Sequence, residues 1–276
     1  MVVLVRISSD KYSIISTALK CQTRLLRKRT RIRVNTVTTL KYNKKVKREL
    51  KAWQRKMEKR PSVINDVSKD IQVAMNRLIP EKIHQVITAA IEQMTRGVLF
   101  GAGFTTRKPR TFDSLEAREQ YVLGRIDFYR TTAAAEGAVT GFGGVLLGLA
   151  DFPIWLTLKM KMLFEIAAGY GIDTKDYRER VYILHIFQLT FSSQRRRREI
   201  FAIMKDWKRV SQELPDDIHQ FDWRNFQQEY RDYIDLAKLL QLIPGIGAVV
   251  GAYVNHRLTK KLGVMAMNAY RMRGVT

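Results

Sequence analysis

The residues best placed to do chemistry are Glu136, Asp151, Lys161, Glu165, Tyr170 and Asp173, which lie in or beside the most apolar part of the chain. Charged side chains are rarely buried without a partner. Asp151, the only ionisable residue between Gly137 and Leu158, stands just ahead of Pro153. It can cap the helix that Pro153 opens, or pair with Lys161. It can also join Glu136 as a carboxylate pair in a cleft, one of the two with a raised pKa. The structural roles are the simpler expectation, because sequence does not place the two carboxylates within reach of each other. Other chemistries lack their residues. His84, His185, His219 and His256 are scattered, and none has a second ligand at a spacing such as H-E-x-x-H, so no metal site is expected. A phosphate-binding Gly-Lys-Ser/Thr loop and a G-x-S-x-G nucleophile turn are both missing. Gly141-Phe142-Gly143-Gly144 is too apolar in its surroundings to cradle phosphate. No cofactor is expected.

These residues have to be positioned by the segments around them. Gly137, Gly141, Gly144 and Gly148 recur every three or four residues and predict a small-residue stripe along one helix face. Glycine in a helix costs roughly 1 kcal/mol relative to alanine, so such a stripe implies close approach of another helix backbone. Gly247 and Gly251, after Pro244, supply a second stripe as its partner. The run from Gly137 to Leu158 is close to the length that spans a bilayer. Asp151 with Pro153 inside it, its glycine content, and Lys159 and Lys161 close behind favour a buried hairpin instead.

The chain reads as helices gathered around that seam. Tyr42, Val46, Leu50, Trp53 and Met57 fall at helical spacing, and Pro61 stops the run. Further helices are expected after Ser62, after Pro80 (Ile83, Val86, Ile87, Ala90, Ile91, Met94) and after Asp113-Ser114 (Leu115, Val122, Ile126, Tyr129). Pro153 fits a first helical turn, and Gly169-Tyr170-Gly171 a helix end. Asp173-Thr174 offers caps for the helix holding Val181, Leu184, His185 and Phe187. Ser192-Ser193 separates it from Arg195-Arg196-Arg197-Arg198. Four consecutive arginines wrap around a helix, so they read as a solvated helix start rather than a one-sided phosphate groove. With no alternating strand pattern and no hairpin dipeptide, the expected fold is all-α, a multi-helix bundle with glycine-rich apolar hairpins at its centre.

The 276 residues carry a net charge of +23, with 46% hydrophobic and 27% charged residues and one cysteine, Cys21. That composition is globular and excludes an internal disulfide. Residues 1–60 hold 19 Lys/Arg against Asp10, Glu49 and Glu58, so polyanion binding rests on the first quarter of the chain. Residues 1–40 read as a solvated basic tail or as a start placed too far upstream, with no cleavable signal. A helical domain follows over 41–276. In the 42–57 helix, Lys44, Lys45, Lys47, Arg48 and Lys51 surround Trp53, the pattern of a basic amphipathic helix that lies in a membrane interface and meets anionic headgroups. An ordinary solvated face packed on the domain is the competing expectation.

Three runs together carry a resemblance: Ala150-Asp151-Phe152-Pro153, Ala167-Ala168-Gly169-Tyr170-Gly171-Ile172-Asp173 and Ile243-Pro244-Gly245-Ile246-Gly247-Ala248-Val249-Val250-Gly251-Ala252-Tyr253-Val254-Asn255. With the glycine-rich run before them, they resemble the EcsC protein family from about residue 62 to the C-terminus. Lys161 stands ten residues after Asp151, where arginine is more usual in that family. The family is named after a gene beside those of a bacterial ABC exporter and has no agreed activity. The resemblance implies an all-α intracellular domain with a connection to membranes, and it supplies no catalytic residues.

The expectation is therefore a cytoplasmic helical protein without an enzymatic role, peripheral at the inner face of the membrane. Its partner would be an anionic membrane surface or a membrane protein. A hydrolase using Asp151 and nearby ionisable residues is the alternative, and nucleic acid is not the expected ligand. Sequence says nothing of the oligomeric state.

Overall fold

A computed structural model describes residues 39–59, 81–100, 108–140, 152–226 and 248–274, with backbone alone at 81–84, 134–140, 194–195, 248–252 and 254. The expected stripe at Gly141, Gly144, Gly148 and Gly247 lies outside the described residues, as does Asp151. Gly137 and Gly251 are helical by backbone. The chain divides into two compact units, Met1–Arg48 and Glu49–Thr276. Described residues form helices joined by turns, with no strand among them.

Helix α1 covers 39–58. In the smaller unit Val46 is buried, while Lys41, Lys44, Lys45, Lys47 and Arg48 are exposed. In the larger unit Leu50 and Met57 enter the hydrophobic core and Trp53 packs against it. Helix α2 (Glu81–Phe100) buries Ile87, Ala90, Ile91, Met94, Val98 and Leu99. That is the three-and-four spacing of a helix with one apolar face. Val86, expected on that face, is exposed.

Helix α3 (Leu115–Thr140) starts where Ser114 Oγ accepts from the Ala117 N–H at 3.1 Å, an N-cap. Its inward stripe is Glu119, Val122, Ile126, Tyr129 and Ala133. Helix α4 (Phe152–Gly169) carries Pro153 in its first turn and is buried on nearly every side. It ends as its sequence predicts: Gly171 adopts φ +81°, and the Gly171 and Ile172 N–H groups donate to Ala168 O and Ala167 O at 3.0 Å.

The cap of helix α5 (Tyr177–Phe191) corrects the sequence expectation. Asp176, not Asp173 or Thr174, accepts from the Arg178 N–H. Asp173 instead closes the preceding turn on the Lys175 N–H at 3.0 Å. Helix α6 (Gln194–Lys205) is capped by Ser193, helix α7 (Trp207–Glu213) buries Trp207, and helix α8 (Ala248–Gly274) closes the bundle. Helix α8 lies along α3; both lean on α4, α2 packs on α4 and α5, and α5 bridges α8 and α6.

One glycine sets how closely α3 and α8 approach. A Cβ on Gly263 would stand 2.6 Å from Ile126 Cγ1 and 2.9 Å from its Cγ2. Because Ile126 is β-branched and fully packed, it has no free rotamer to yield. Replacing Gly263 by Ala should lower unfolding free energy by roughly 1–3 kcal/mol. Adding Ile126→Ala should then lower it by less than that substitution does alone, as urea unfolding of the double-mutant cycle would register.

A buried histidine makes the fold acid-sensitive. His185 sits edge-on to Trp207 at 5.8 Å and to Phe226 at 5.7 Å, with Nδ1 3.0 Å from Gln188 Oε1. Burial pushes its pKa down to about 4, because the imidazolium is denied water. The unfolded chain therefore binds this proton at higher pH than the folded one. The neutral ring's contribution is intact above the ordinary value near 6.5 and is lost as pH falls toward about 4, roughly 3 kcal/mol in all. Urea midpoints measured between pH 7 and pH 4 should fall less steeply for His185→Gln than for the wild type.

Candidate functional site

Polar clusters cross the bundle, and three of those among the described residues are tied into the structure as follows. In the first, Glu119 on α3 has no exposed surface, and Arg271 on α8 meets it with two parallel hydrogen bonds, Nε to Oε1 at 2.7 Å and Nη2 to Oε2 at 2.5 Å. Arg271 Nη1 also donates to Asn268 Oδ1 at 3.2 Å and to Glu49 Oε2 at 3.3 Å. Tyr170, just beyond α4, donates its hydroxyl to Glu119 Oε1 at 3.3 Å and stacks on Tyr270. Burial first, then the Glu119 charge, pushes the Tyr170 phenol far above its ordinary value. Burial opposes the Arg271 charge, but the hydrogen bonds and charge of Glu119 outweigh it. This phenol does not ionise in the working range; it holds the carboxylate.

In the second cluster Glu165 on α4 is ion-paired to Arg125 on α3. Arg125 lies 4.5 Å from the Phe128 ring centre and 5.4 Å from that of Tyr129. In the third, Trp155 Nε1 donates to Asn255 Oδ1, and Asn255 Nδ2 donates to Ala133 O at 2.8 Å. One amide on α8 thus fixes both α3 and α4. Lys159, with 1% of its surface exposed, places Nζ 4.8 Å from the Trp155 ring centre.

Of the sequence-predicted cluster, four side chains are described, Lys161, Glu165, Tyr170 and Asp173, and these are not gathered in a single place. Glu165 and Tyr170 are buried, but in different ion-pair clusters. Lys161 is exposed on α4, so the lysine inside the bundle is Lys159; the side chains alternate because i and i+2 face apart on a helix. Asp173 is exposed in its turn. Of Glu136 only the backbone is described, and Asp151 lies outside the described residues. Trp53 meets Phe201 edge-on at 5.4 Å, so it is turned toward the domain. Lys44, Lys45, Lys47, Arg48 and Lys51 are exposed. In the four-arginine run, Arg196 pairs with Glu199 at 2.9 Å. Arg197 donates to Leu189 O and Ser192 O, both at 3.2 Å, and so covers the carbonyl end of α5.

Sequence reasoning missed Glu119, Arg271 and Arg125. The first had a signal: Glu119 falls on the stripe of Leu115, Val122 and Ile126, and a charge at a core position calls for a buried partner. An open cleft of about 320 Å³ is lined by Asp176, Arg178, Glu179, Ser211, Gln212 and Asp216. Arg178 there is held by Leu214 O, Pro215 O and Asp216 Oδ1, and Glu179 by Arg273 at 2.7 Å. Among the described residues no three His, Cys, Asp or Glu converge as metal ligands.

These pairs bind helices together and bring no nucleophile to a base. Removing one partner strands a buried charge, so Arg271→Met should lower unfolding free energy by roughly 3–5 kcal/mol. Arg271→Met combined with Glu119→Leu should recover part of that loss in chemical denaturation, because no unpaired carboxylate remains.

Comparison with known proteins gives a consistent picture. The chain is 39% identical to "Protein EcsC" of Bacillus subtilis (strain 168) over 232 residues, 84% of this chain and 95% of that protein. It is 30% identical to "Uncharacterized protein YdbA" of the same organism over 223 residues, 73% of this chain and 81% of that one. No solved structure matches. The EcsC protein family profile matches residues 44–275, which extends the resemblance seen from about residue 62 back into α1. With five-sixths of its length matched in this way, the chain belongs to the EcsC protein family.

Proposed function

We propose that this EcsC-family chain is a non-enzymatic helical protein that works at an anionic membrane surface, held there by charge. The observation that carries the reading is the division of labour among its ionisable residues. The buried carboxylates of the larger unit are taken up by arginines, Glu119 by Arg271 and Glu165 by Arg125. On α1, Lys51, Arg55 and Lys56 of the larger unit are exposed, and so are Lys41, Lys44, Lys47 and Arg48 of the smaller unit.

The mode of contact differs from that of an in-plane amphipathic helix. In the larger unit the apolar positions of α1 are already in use, with Leu50 and Met57 in the core and Trp53 against it, and in the smaller unit Leu40 is exposed. Packed in this way, Leu50, Trp53 and Met57 supply no insertion face, so the proposed adhesion rests on Coulomb attraction to headgroups, about 1 kcal/mol per basic residue near the surface. Among the described residues no helix is long and apolar enough to cross a membrane.

Attraction of this kind is screened within roughly 8–10 Å at physiological salt. The purified protein should float with phosphatidylcholine vesicles that contain phosphatidylglycerol and not with phosphatidylcholine alone. Raising salt to about 0.5 M should release it. Equally poor flotation with both vesicle types would remove the reading.

A further inference from the structure

In the larger unit α1 and α6 touch at two levels that advance together along both helices: Trp53 meets Phe201 at 5.4 Å, and farther along Lys205 Nζ reaches Glu58 Oε1 at 2.7 Å. Seven residues is nearly two helical turns, about 10.5 Å, so positions seven apart share a stripe. Seven residues before Glu58 stands Lys51, and seven before Lys205 stands Arg198. The register that makes an ion pair at one level therefore puts Lys51 and Arg198 on the matching stripes one heptad earlier. Both are exposed, and neither has an ion-pair partner among the described residues. Arg55 on α1 and Lys208 on α7 are exposed as well. Glu199, a nearby acid, is held by Arg196.

We infer that Lys51 and Arg198 form a phosphate-binding notch that takes the headgroup of an anionic phospholipid, the docking point of the membrane reading on which this inference rests. The chemistry selects a phosphate: guanidinium forks its oxygens while ammonium supplies a point charge. The notch opens outward on the helix surface. A lone soluble phosphate meets only screened surface cations there, whereas a bilayer presents phosphates at high local density across both helices. A single-stranded nucleic acid would need exposed rings for its bases to stack on, and the aromatic rings nearest the notch, Trp53 and Phe201, are turned into each other.

The notch makes a prediction in which two readouts move in opposite directions. In the full chain, Arg198→Glu sets a carboxylate across from Lys51, repeating the Glu58–Lys205 arrangement, and Lys51→Glu does the same in reverse. Each should weaken binding to phosphatidylglycerol-containing vesicles by at least about fivefold. Each should also raise the melting temperature by about 1 °C, as a new surface ion pair does. The double variant K51E/R198E should bind as weakly and lose the thermal gain. Lys175→Glu, the same charge change in the turn between α4 and α5, should bind close to wild type. If the single variants bind these vesicles like wild type, the notch is wrong and the membrane reading stands; if wild type ignores the vesicles, both fall. Should inorganic phosphate at millimolar concentration displace the protein from vesicles in step with its occupancy of the notch, the lipid assignment is overturned in favour of a free-phosphate site.

Discussion

A carboxylate sealed from water must keep a cation beside it, and that requirement organises this bundle. Glu119 has no exposed surface, so α8 is obliged to deliver Arg271 at one height along α3. The same guanidinium reaches Glu49 on α1, and the same carboxylate accepts from Tyr170 at the end of α4. Apolar contacts resist separation but are non-directional, so they let helices slide. A forked ion pair does not, because displacing it by a single residue would strand both charges. A buried pair is weak evidence for net stability; its clearer consequence here is register among the helices it joins. Glu165 with Arg125, and Asn255 between Trp155 and Ala133, repeat the device at other levels.

Given that register, the close contact of α3 and α8 at Gly263 becomes intelligible. A glycine in a long helix loses intrinsic propensity, and the loss is offset where the missing side chain admits a partner. Ile126 occupies that place. Gly169 does the same against Val122, where a Cβ would stand 2.9 Å from Cγ2. Both glycines admit a side chain of α3, whereas the expected stripe at Gly141, Gly144, Gly148 and Gly247 lies outside the described residues.

Helices and their ends were legible because they follow local rules. Pro153 marks a first turn, Ser114 and Ser193 cap, and Gly171 takes a left-handed turn that residues with a Cβ resist. The exchange of Asp176 for Asp173 shows the limit of such rules, since either carboxylate could close a turn and only the start of α5 decides which caps. Partners distant in sequence were not legible. Nothing local says that Glu119 waits for a residue 152 positions on, or that Lys159 rather than Lys161 faces the core. Periodicity gives a face, and only packing says what that face meets.

The charge of the chain has to be read in the same way. Net charge counts Arg125, Arg196, Arg197, Arg271 and Arg273 as if they were offered to solvent, yet each is committed to a carboxylate or to a helix-end carbonyl. What an anionic partner can use is the remainder, and on the larger unit that remainder includes the outer faces of α1 and α6. Tryptophan obeys the same distinction: Trp53 beside a row of lysines suggests an interfacial anchor, but its ring is in contact with Phe201. On the proposed membrane reading, a contact made through the exposed cations of α1 while Trp53, Leu50 and Met57 stay packed would hold by charge. Attachment of that kind would be reversible and tuned by ionic strength, with no need for the bundle to open.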